Sequence, residues 1–425
     1  MSYHHTLAYK MSSDNPTVSN VSNVSNVPAE NDNVNTDTNI VSDDATLNEV
    51  NSFDDLGLKD QLLRGIYSMG YSMPSEIQRK AIRPMMTGND IIAQAQSGTG
   101  KTATFLIGSL QQIDPELYKP QVIILCPNHE LAQQIYFNYE CLSQYMRLRS
   151  ALLIGGTSVD ENIKAIDKGV QFIVGTPGRV YDMMKRYVLK TDRLRCFVID
   201  EADEMLDRGF KDQLYEIVQF IPSKCQMAIF SATMPPSALE LTQQFMNPDA
   251  TRILVQPEHV TLDGIKQYYL GVDNDNWKFD TLCELYERLQ INQTIIFVNS
   301  RRKAEVVKEQ LEERNFTVGL LYGEMKQMER DRIMRSFRTG ECRIMIATDV
   351  IARGIDVQQV SVVINYDIPR QCETYIHRIG RTGRYGRKGV AINFVTVKEV
   401  SQIEKLQRFY DTKIECLPTN LNDIL

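Results

Sequence analysis

The sequence predicts two α/β domains in tandem, each built on a parallel sheet with helices on both faces. Three observations carry that expectation. Residues 95–102, AQSGTGKT, follow the apolar run Ile91-Ile92-Ala93 and precede the helical stretch Ala103-Thr104-Phe105-Leu106-Ile107, the strand, loop and helix order of a phosphate-binding loop. Short apolar runs alternate with helical segments on either side of a polar connector. The chain of 425 residues and 48.7 kDa exceeds one ordinary core and fits two of roughly 150–200 residues.

With 43% hydrophobic residues the chain can fill such cores. Its formal net charge of −7 is unevenly placed: residues 1–50 hold seven acids and one base, Lys10, which leaves the remainder near −1. A near-neutral body excludes a general attractive field for nucleic acid, so any such site must be a local groove. The eight cysteines show no CxxC and no repeated ligand spacing, which argues against structural zinc. With no apolar leader, they point to a reducing, intracellular compartment. No run of about 18 apolar residues exists, so no membrane span is expected.

Residues 1–52 are rich in Asn, Ser, Asp and Thr, carry the near-repeat VSNVSNVSNV at 18–27, and read as a disordered tail. The first domain is expected over 53–255. Leu62, Leu63 and Ile66 fall at helical spacing before Gly70; Pro74-Ser75 then start a helix that turns Ile77, Ala81 and Ile82 inward and leaves Gln78 near the phosphate-loop strand. A glutamine amide both donates and accepts, which suits an adenine edge, although by itself Gln78 reads as an ordinary surface helix residue. In the loop, Gly98 and Gly100 permit the tight path that aims N–H groups at phosphate oxygens, Lys101 supplies a point charge, and Thr102 offers a hydroxyl to Mg2+. Ala95 stands where the usual GxxxxGKT pattern has its first glycine, and Gln96, Ser97 and Thr99 complete the cradle. The alternative for this stretch is an ordinary glycine-rich turn.

Further strands are expected at 121–126, 151–154, 171–174, 196–199 and 227–230. Polar residues gather at their C-terminal ends, where parallel sheets bind ligands: Pro127-Asn128-His129, Gly155-Gly156, Thr176-Pro177-Gly178-Arg179, Asp200-Glu201 and Ser231-Ala232-Thr233. Arg179 at a helix start could hold a backbone phosphate. Asp200, directly after an apolar strand, is the expected holder of Mg2+ with Thr102, and Glu201 can orient or deprotonate an attacking water. The alternative for the acid pair is a solvated helix start. Ser231 and Thr233 show no chemistry of their own.

The alternation stops over 256–272, where Pro257 and Gly264 mark a connector, and resumes in a second domain over 273–425 that lacks a phosphate loop. Strands are expected there at 294–298, 317–322, 343–347, 360–366 and 390–395, and helices at 303–313 and 328–337. Its informative features are Arg353-Gly354-Ile355-Asp356 and HRIGRTGR at 377–384. The latter, with bases separated by Gly380 and Gly383, is expected to be a flexible cationic loop and not a buried face. Arg381 and Arg384 would reach across a cleft to terminal phosphates held by the first domain, so that hydrolysis would depend on domain closure.

Taken together and in order, GYSMPSEIQ, AQSGTGKT, DEAD, SAT, ARGID and HRIGRTGR resemble the DEAD-box ATP-dependent RNA helicases over about residues 53–425. The resemblance implies two RecA-like domains of the P-loop NTPase type that close on ATP and single-stranded RNA and part a short RNA duplex locally. It implies adenine recognition by Phe53 and Gln78, ribose contact by Asp356, and handling of phosphate, Mg2+ and water by Lys101, Thr102, Asp200 and Glu201. Arg381 and Arg384 would complete the ATP site, and Ser231, Ala232 and Thr233 would couple hydrolysis to unwinding. The RNA path would pass Pro127 and Asn128, Gly155 and Gly156, Thr176, Pro177, Gly178 and Arg179, then Gln327, Arg330 and Thr348.

Within that family, DEADEMLDRGFKDQ, RGIDVQQVSVVINYDIP and GRKGVAINFVT are similar to the branch that serves translation initiation. This implies a cytoplasmic monomer or complex component, working near the mRNA 5′ region with a helical-repeat scaffold protein as partner. The alternative is the exon-junction and pre-ribosomal branch, a nuclear ATP-dependent RNA clamp, toward which Trp277-Lys278-Phe279 and Arg384-Tyr385-Gly386 lean. Two departures from the family pattern matter. Asn128-His129 stand where Thr-Arg is expected, losing a hydroxyl and a permanent charge at RNA phosphates, and Tyr322-Gly323 stand where His-Gly is common.

Overall fold

Runs of four to seven residues with nearly every position apolar can be buried on both faces only within a sheet covered by helices, and the chain uses them in that way. A computed structural model describes residues 50–95, 98–207, 209–254, 265–289, 293–349, 360–382 and 389–418, and among them two seven-stranded sheets follow one another, parallel throughout.

The first sheet holds β1 (Ile91–Gln94), β2 (Val122–Leu125), β3 (Ser150–Leu153), β4 (Phe172–Gly175), β5 (Cys196–Asp200), β6 (Gln226–Ser231) and β7 (Thr251–Leu254), in the spatial order β3-β4-β2-β5-β6-β1-β7. Ile91 of β1 pairs with Ala228 of β6 on one side and Thr251 of β7 on the other. Because all strands run the same way, the residues that follow them come out along one edge of the sheet. Aromatic packing seats two helices on the sheet in one core cluster. Phe105, in the helix Lys101–Gln112, meets Phe230 of β6 edge-on at 5.3 Å; Tyr139, in the helix His129–Ser143, stacks on Phe172 of β4 at 4.0 Å. Each such ring withdrawn from water contributes roughly 2–3 kcal/mol.

The second sheet repeats the plan with β8 (Ile265–Gly271), β9 (Thr294–Phe297), β10 (Val318–Leu321), β11 (Ile344–Ala347), β12 (Val362–Asn365), β13 (Gly389–Val395) and β14 (Glu415–Cys416), in the order β10-β11-β9-β12-β13-β8-β14.

Three boundaries differ from the sequence reading. Val50 is buried in the same apolar cluster as Phe53, and Ser52 caps the short turn Phe53–Leu56, so packing begins inside the stretch expected to be tail. Residues 1–49 lie outside the described residues. The connector expected over 256–272 loses its last part, because 265–271 pair along their whole length with β13; the sequence IKQYYLG mixes polar and apolar residues and so hides the strand. β7 and β14, both outermost strands, were not expected at all: one is half-buried and the other has two residues, too little for an apolar run. No helix among the described residues is long and apolar enough to cross a membrane.

Candidate functional site

After β1 the chain turns through Gly98 (φ 87°) and Gly100 (φ 105°), left-handed conformations open to glycine, and Lys101 then starts its helix. A Cβ on Gly100 would lie 2.6 Å from Gln78 Nε2, so the amide packs directly on this turn. Gln78 is buried and braces the loop: its Oε1 accepts from Ser75 N at 2.8 Å and its Nε2 lies 3.5 Å from Gly100 O. Phe53, the other residue expected at adenine, is fully buried with its ring 6.5 Å from Tyr71, and offers no face to a nucleotide in this arrangement. Ala95 N donates to Ser231 O at 3.1 Å, tying the loop to β6. Thr99 and Thr102 are half-buried, while Gln96 and Ser97 lie outside the described residues.

Lys101 Nζ is buried and finds no hydrogen-bond partner among the described residues; Glu201 Oε1 is 4.0 Å away. A buried ammonium so loosely held is costly, and a phosphate oxygen is the partner that suits it. Asp200, at the end of β5, is buried, and its carboxyl is pushed up to about 8, first by burial and then by the charge of Glu201, with Lys101 pulling the other way. Glu201 N donates to Asp200 Oδ1 at 3.1 Å. Glu201 itself takes a left-handed φ of 52°, which costs a non-glycine residue about 1–3 kcal/mol and is kept where surrounding structure enforces it. Asp200 and Glu201 are adjacent buried carboxylates, oxygen donors of the kind that suit a hard cation such as Mg2+.

Asp203 joins this corner to the second domain. Thr233 Oγ1 donates to Asp203 Oδ2 at 2.5 Å, and His377 Nε2 lies 3.4 Å from the same oxygen. Arg381 is buried, with its Nε donating to His377 O at 3.0 Å. Ala232 O accepts from Gln94 Nε2 at 3.4 Å, and Ser231 Oγ is buried without a hydrogen-bond partner among the described residues. Asp356 and Arg384 lie outside the described residues.

The segment HRIGR is not the solvated, flexible loop expected from its charge. Its first three residues end the helix Cys372–Ile379, and His377, Arg378 and Arg381 are all buried. Arg378 can be buried because its guanidinium is satisfied: Nε donates to Asp349 Oδ1 at 2.5 Å, Nη1 to Asp367 O at 2.6 Å and Asn365 Oδ1 at 3.2 Å, and Nη2 to Asn299 Oδ1 at 2.7 Å. Those partners come from three different segments, so the pairing leaves no local trace in the sequence.

Pro127, Asn128, Gly155, Thr176, Gly178, Arg179 and Arg330, all expected on the RNA path, line one groove of about 410 Å³ together with His129 and Phe210. Arg179 is aimed by Asn162 and by Thr157, whose O and Oγ1 accept at 2.9 and 3.1 Å. Asn128 Oδ1 accepts from Leu131 N at 2.8 Å and caps the helix His129–Ser143, so its oxygen serves the helix start. A Cβ on Gly155 would lie 3.2 Å from His129 Nε2, which shows how closely the histidine covers that turn. Pro177 opens the helix Pro177–Lys185, and Gly156 turns with φ 76° just beyond the groove lining. Thr348 N donates to Leu321 O at 3.2 Å at the mouth of the second sheet. Gln327 begins the helix Gln327–Thr339, but its side chain lies outside the described set.

One contact has no counterpart in the sequence reading. Arg330 Nη2 donates to Glu130 Oε2 at 2.8 Å and its Nε lies 2.8 Å from Oε1, an ion pair across the two domains with both side chains buried. Beside it Gln133 Nε2 donates to Asp331 Oδ1 at 3.4 Å. The partners are 200 residues apart, and Glu130 in isolation is an ordinary first-turn acid.

Residues 75–242 match the DEAD/DEAH box helicase family and residues 277–386 match the helicase conserved C-terminal domain. The chain is 54% identical over 376 residues to the ATP-dependent RNA helicase eIF4A of Chaetomium globosum, covering 88% of this chain and 94% of that protein. It is 54% identical over 374 residues to eukaryotic initiation factor 4A-9 of Nicotiana tabacum, covering 88% and 90% respectively. Among solved structures it is similar to S. cerevisiae Dbp5 bound to RNA and ADP BeF3, with a TM-score of 0.82 and 38% identity, covering 88% of this chain and 97% of that one.

Proposed function

The chain belongs to the DEAD/DEAH box helicase family, and from that premise we propose that it is an RNA-stimulated ATPase that locally unwinds short RNA duplexes in translation initiation. One observation carries the reading: closure completes two sites at once. Arg330 of the second domain finishes the groove of the first, while His377 of the same domain, whose carbonyl accepts from Arg381, meets the Asp203 corner beside Asp200 and Glu201.

In this reading the N–H groups around Gly98 and Gly100 and the ammonium of Lys101 hold the ATP phosphates. Thr102 and Asp200 would hold Mg2+, which supplies neutralising charge at the phosphate oxygens. Glu201, fixed by its strained backbone, orients the water and takes its proton. Arg381 and Arg384 supply charge from the other domain, so hydrolysis waits for closure. Thr233 hydrogen-bonded to Asp203, with His377 close to the same carboxylate, forms a line of contacts from the acid pair into the second domain, which is how a change at the phosphates would reach the groove. A single strand in a groove built from two domains must follow their placement, and a regular duplex cannot.

The 54% identity to initiation factors supports the translation branch, and with it a cytoplasmic setting and a helical-repeat scaffold protein as partner. Strand release from a short RNA duplex under ATP tests the proposal. The buried Glu130–Arg330 pair favours a second reading, a clamp that holds RNA until hydrolysis lets go; tight ATP-dependent RNA retention without strand release would select it.

A further inference from the structure

The second domain carries a planar cation engaged on two sides by carboxylates. The Arg301 guanidinium carbon lies 4.3 Å from the centre of the Tyr322 ring. Its Nε donates to Glu305 Oε1 at 2.9 Å and its Nη1 to Glu324 Oε2 at 2.7 Å. The side chain is nevertheless 49% exposed. A guanidinium reads phosphate through its edges, by forked hydrogen bonds, whereas a nucleobase stacks on its face. With carboxylates on Nε and Nη1 and a tyrosine behind, Arg301 presents its outer face and its Nη2 edge, and the face is the part that Tyr322 backs.

The location is fixed by backbone. Arg301 begins the helix after β9, and Tyr322 directly follows β10. Thr348 N donates to Leu321 O beside it, and the turn through Met325, whose N donates to Tyr322 O at 3.5 Å, leads into the helix that carries Arg330 to the groove. Tyr322 is also where this chain departs from the histidine common in the family. A histidine ring at that position would back the guanidinium with a smaller surface and would carry charge itself below its pKa of about 6.5.

We infer that Arg301 and Tyr322 form a base-stacking platform for one unpaired nucleotide of the RNA, adding a base contact to a path otherwise expected to hold the backbone. The inference rests on the RNA reading above. It gives this chain a graded preference among bases, strongest for purines, because stacking grows with ring area.

The test uses the full chain with a non-hydrolysable ATP analogue and single-stranded RNA, measuring affinity over a salt series for the unmodified protein, Arg301→Lys, Arg301→Gln and Tyr322→His. Arg301→Lys keeps the charge and loses the plane. It should weaken binding by about 5-fold with the salt slope unchanged, the size expected for one stacked base. The unmodified protein should lose a similar factor when one RNA position is replaced by an abasic residue, and Arg301→Lys should no longer feel that replacement. Tyr322→His should fall between the two. If Arg301→Lys binds as the unmodified protein does while Arg301→Gln lowers the slope by about 0.7, Arg301 contacts a phosphate and the platform is wrong. If neither variant changes affinity or slope, the pair does not meet RNA. Failure of the unmodified protein to bind RNA would instead overturn the RNA reading itself.

Discussion

Arg330→Ala should shift the two domains toward the open arrangement. Glu130 and Arg330 are both nearly buried where the domains meet, and both become hydrated when the domains part, so the penalty of the substitution falls on closure. That penalty has two sources: a charge-assisted hydrogen bond and a close ion-pair contact disappear, and Glu130 is left buried without its counter-ion. Breaking a buried pair from one side costs about 3–5 kcal/mol. At the lower end of that range, because a water can replace part of the guanidinium, the closed-to-open ratio falls on the order of 100-fold. Arg330 also lines the groove, so Glu130→Gln is the matching variant, which weakens the pair while leaving the guanidinium for RNA. Energy transfer between a dye on each domain, with RNA and a non-hydrolysable ATP analogue present, reads the closed fraction. Both variants should lower it, and Arg330→Ala alone should lower the salt slope of RNA binding by about 0.7. An unchanged closed fraction in both would refute the assignment of this pair as an inter-domain latch.

Glu201→Gln should leave ATP affinity in place and slow turnover by at least ~100-fold, because water positioning acts mainly in the transition state; single-turnover hydrolysis with a parallel binding measurement decides it, and normal turnover would remove Glu201 from the chemistry. Arg381→Ala should lower RNA-stimulated hydrolysis while nucleotide binding persists, and an unchanged rate would exclude a role for this buried arginine across the cleft. His129→Arg should tighten RNA binding and steepen its salt slope by about 0.7 by restoring a permanent charge in the groove, as read from affinities at several salt concentrations; equal slopes would mean that another residue makes that contact.

The residues legible in the sequence are those that follow central apolar strands. Gly98 to Thr102 after β1, Asp200 and Glu201 at β5, and Pro127, Thr176 and Arg179 near the ends of β2 and β4 were readable, because a run of buried residues ending in polar ones announces both the strand and its ligand-facing end. The edge strands β7 and β14 and the mixed sequence of β8 carry no such run. The buried state of Arg378 and the Glu130–Arg330 ion pair are hidden for a different reason: a charged residue declares its need for a partner, but not which distant residue meets it. By its neighbours in sequence His377 belongs to a flexible basic loop, whereas the fold places it against Asp203. Phe53 shows the converse limit. The family resemblance assigns it to adenine, and this arrangement packs it into the first core.

The central claim is that ATP hydrolysis in the first domain is tied to RNA in the groove through closure. The steady-state ATPase rate of the full chain, measured with no nucleic acid, with single-stranded RNA and with DNA of the same sequence, tests it most directly. The account predicts a low rate alone, a large rise with RNA and a much smaller one with DNA. A rate that is already high without nucleic acid, or that RNA leaves unchanged, would contradict it.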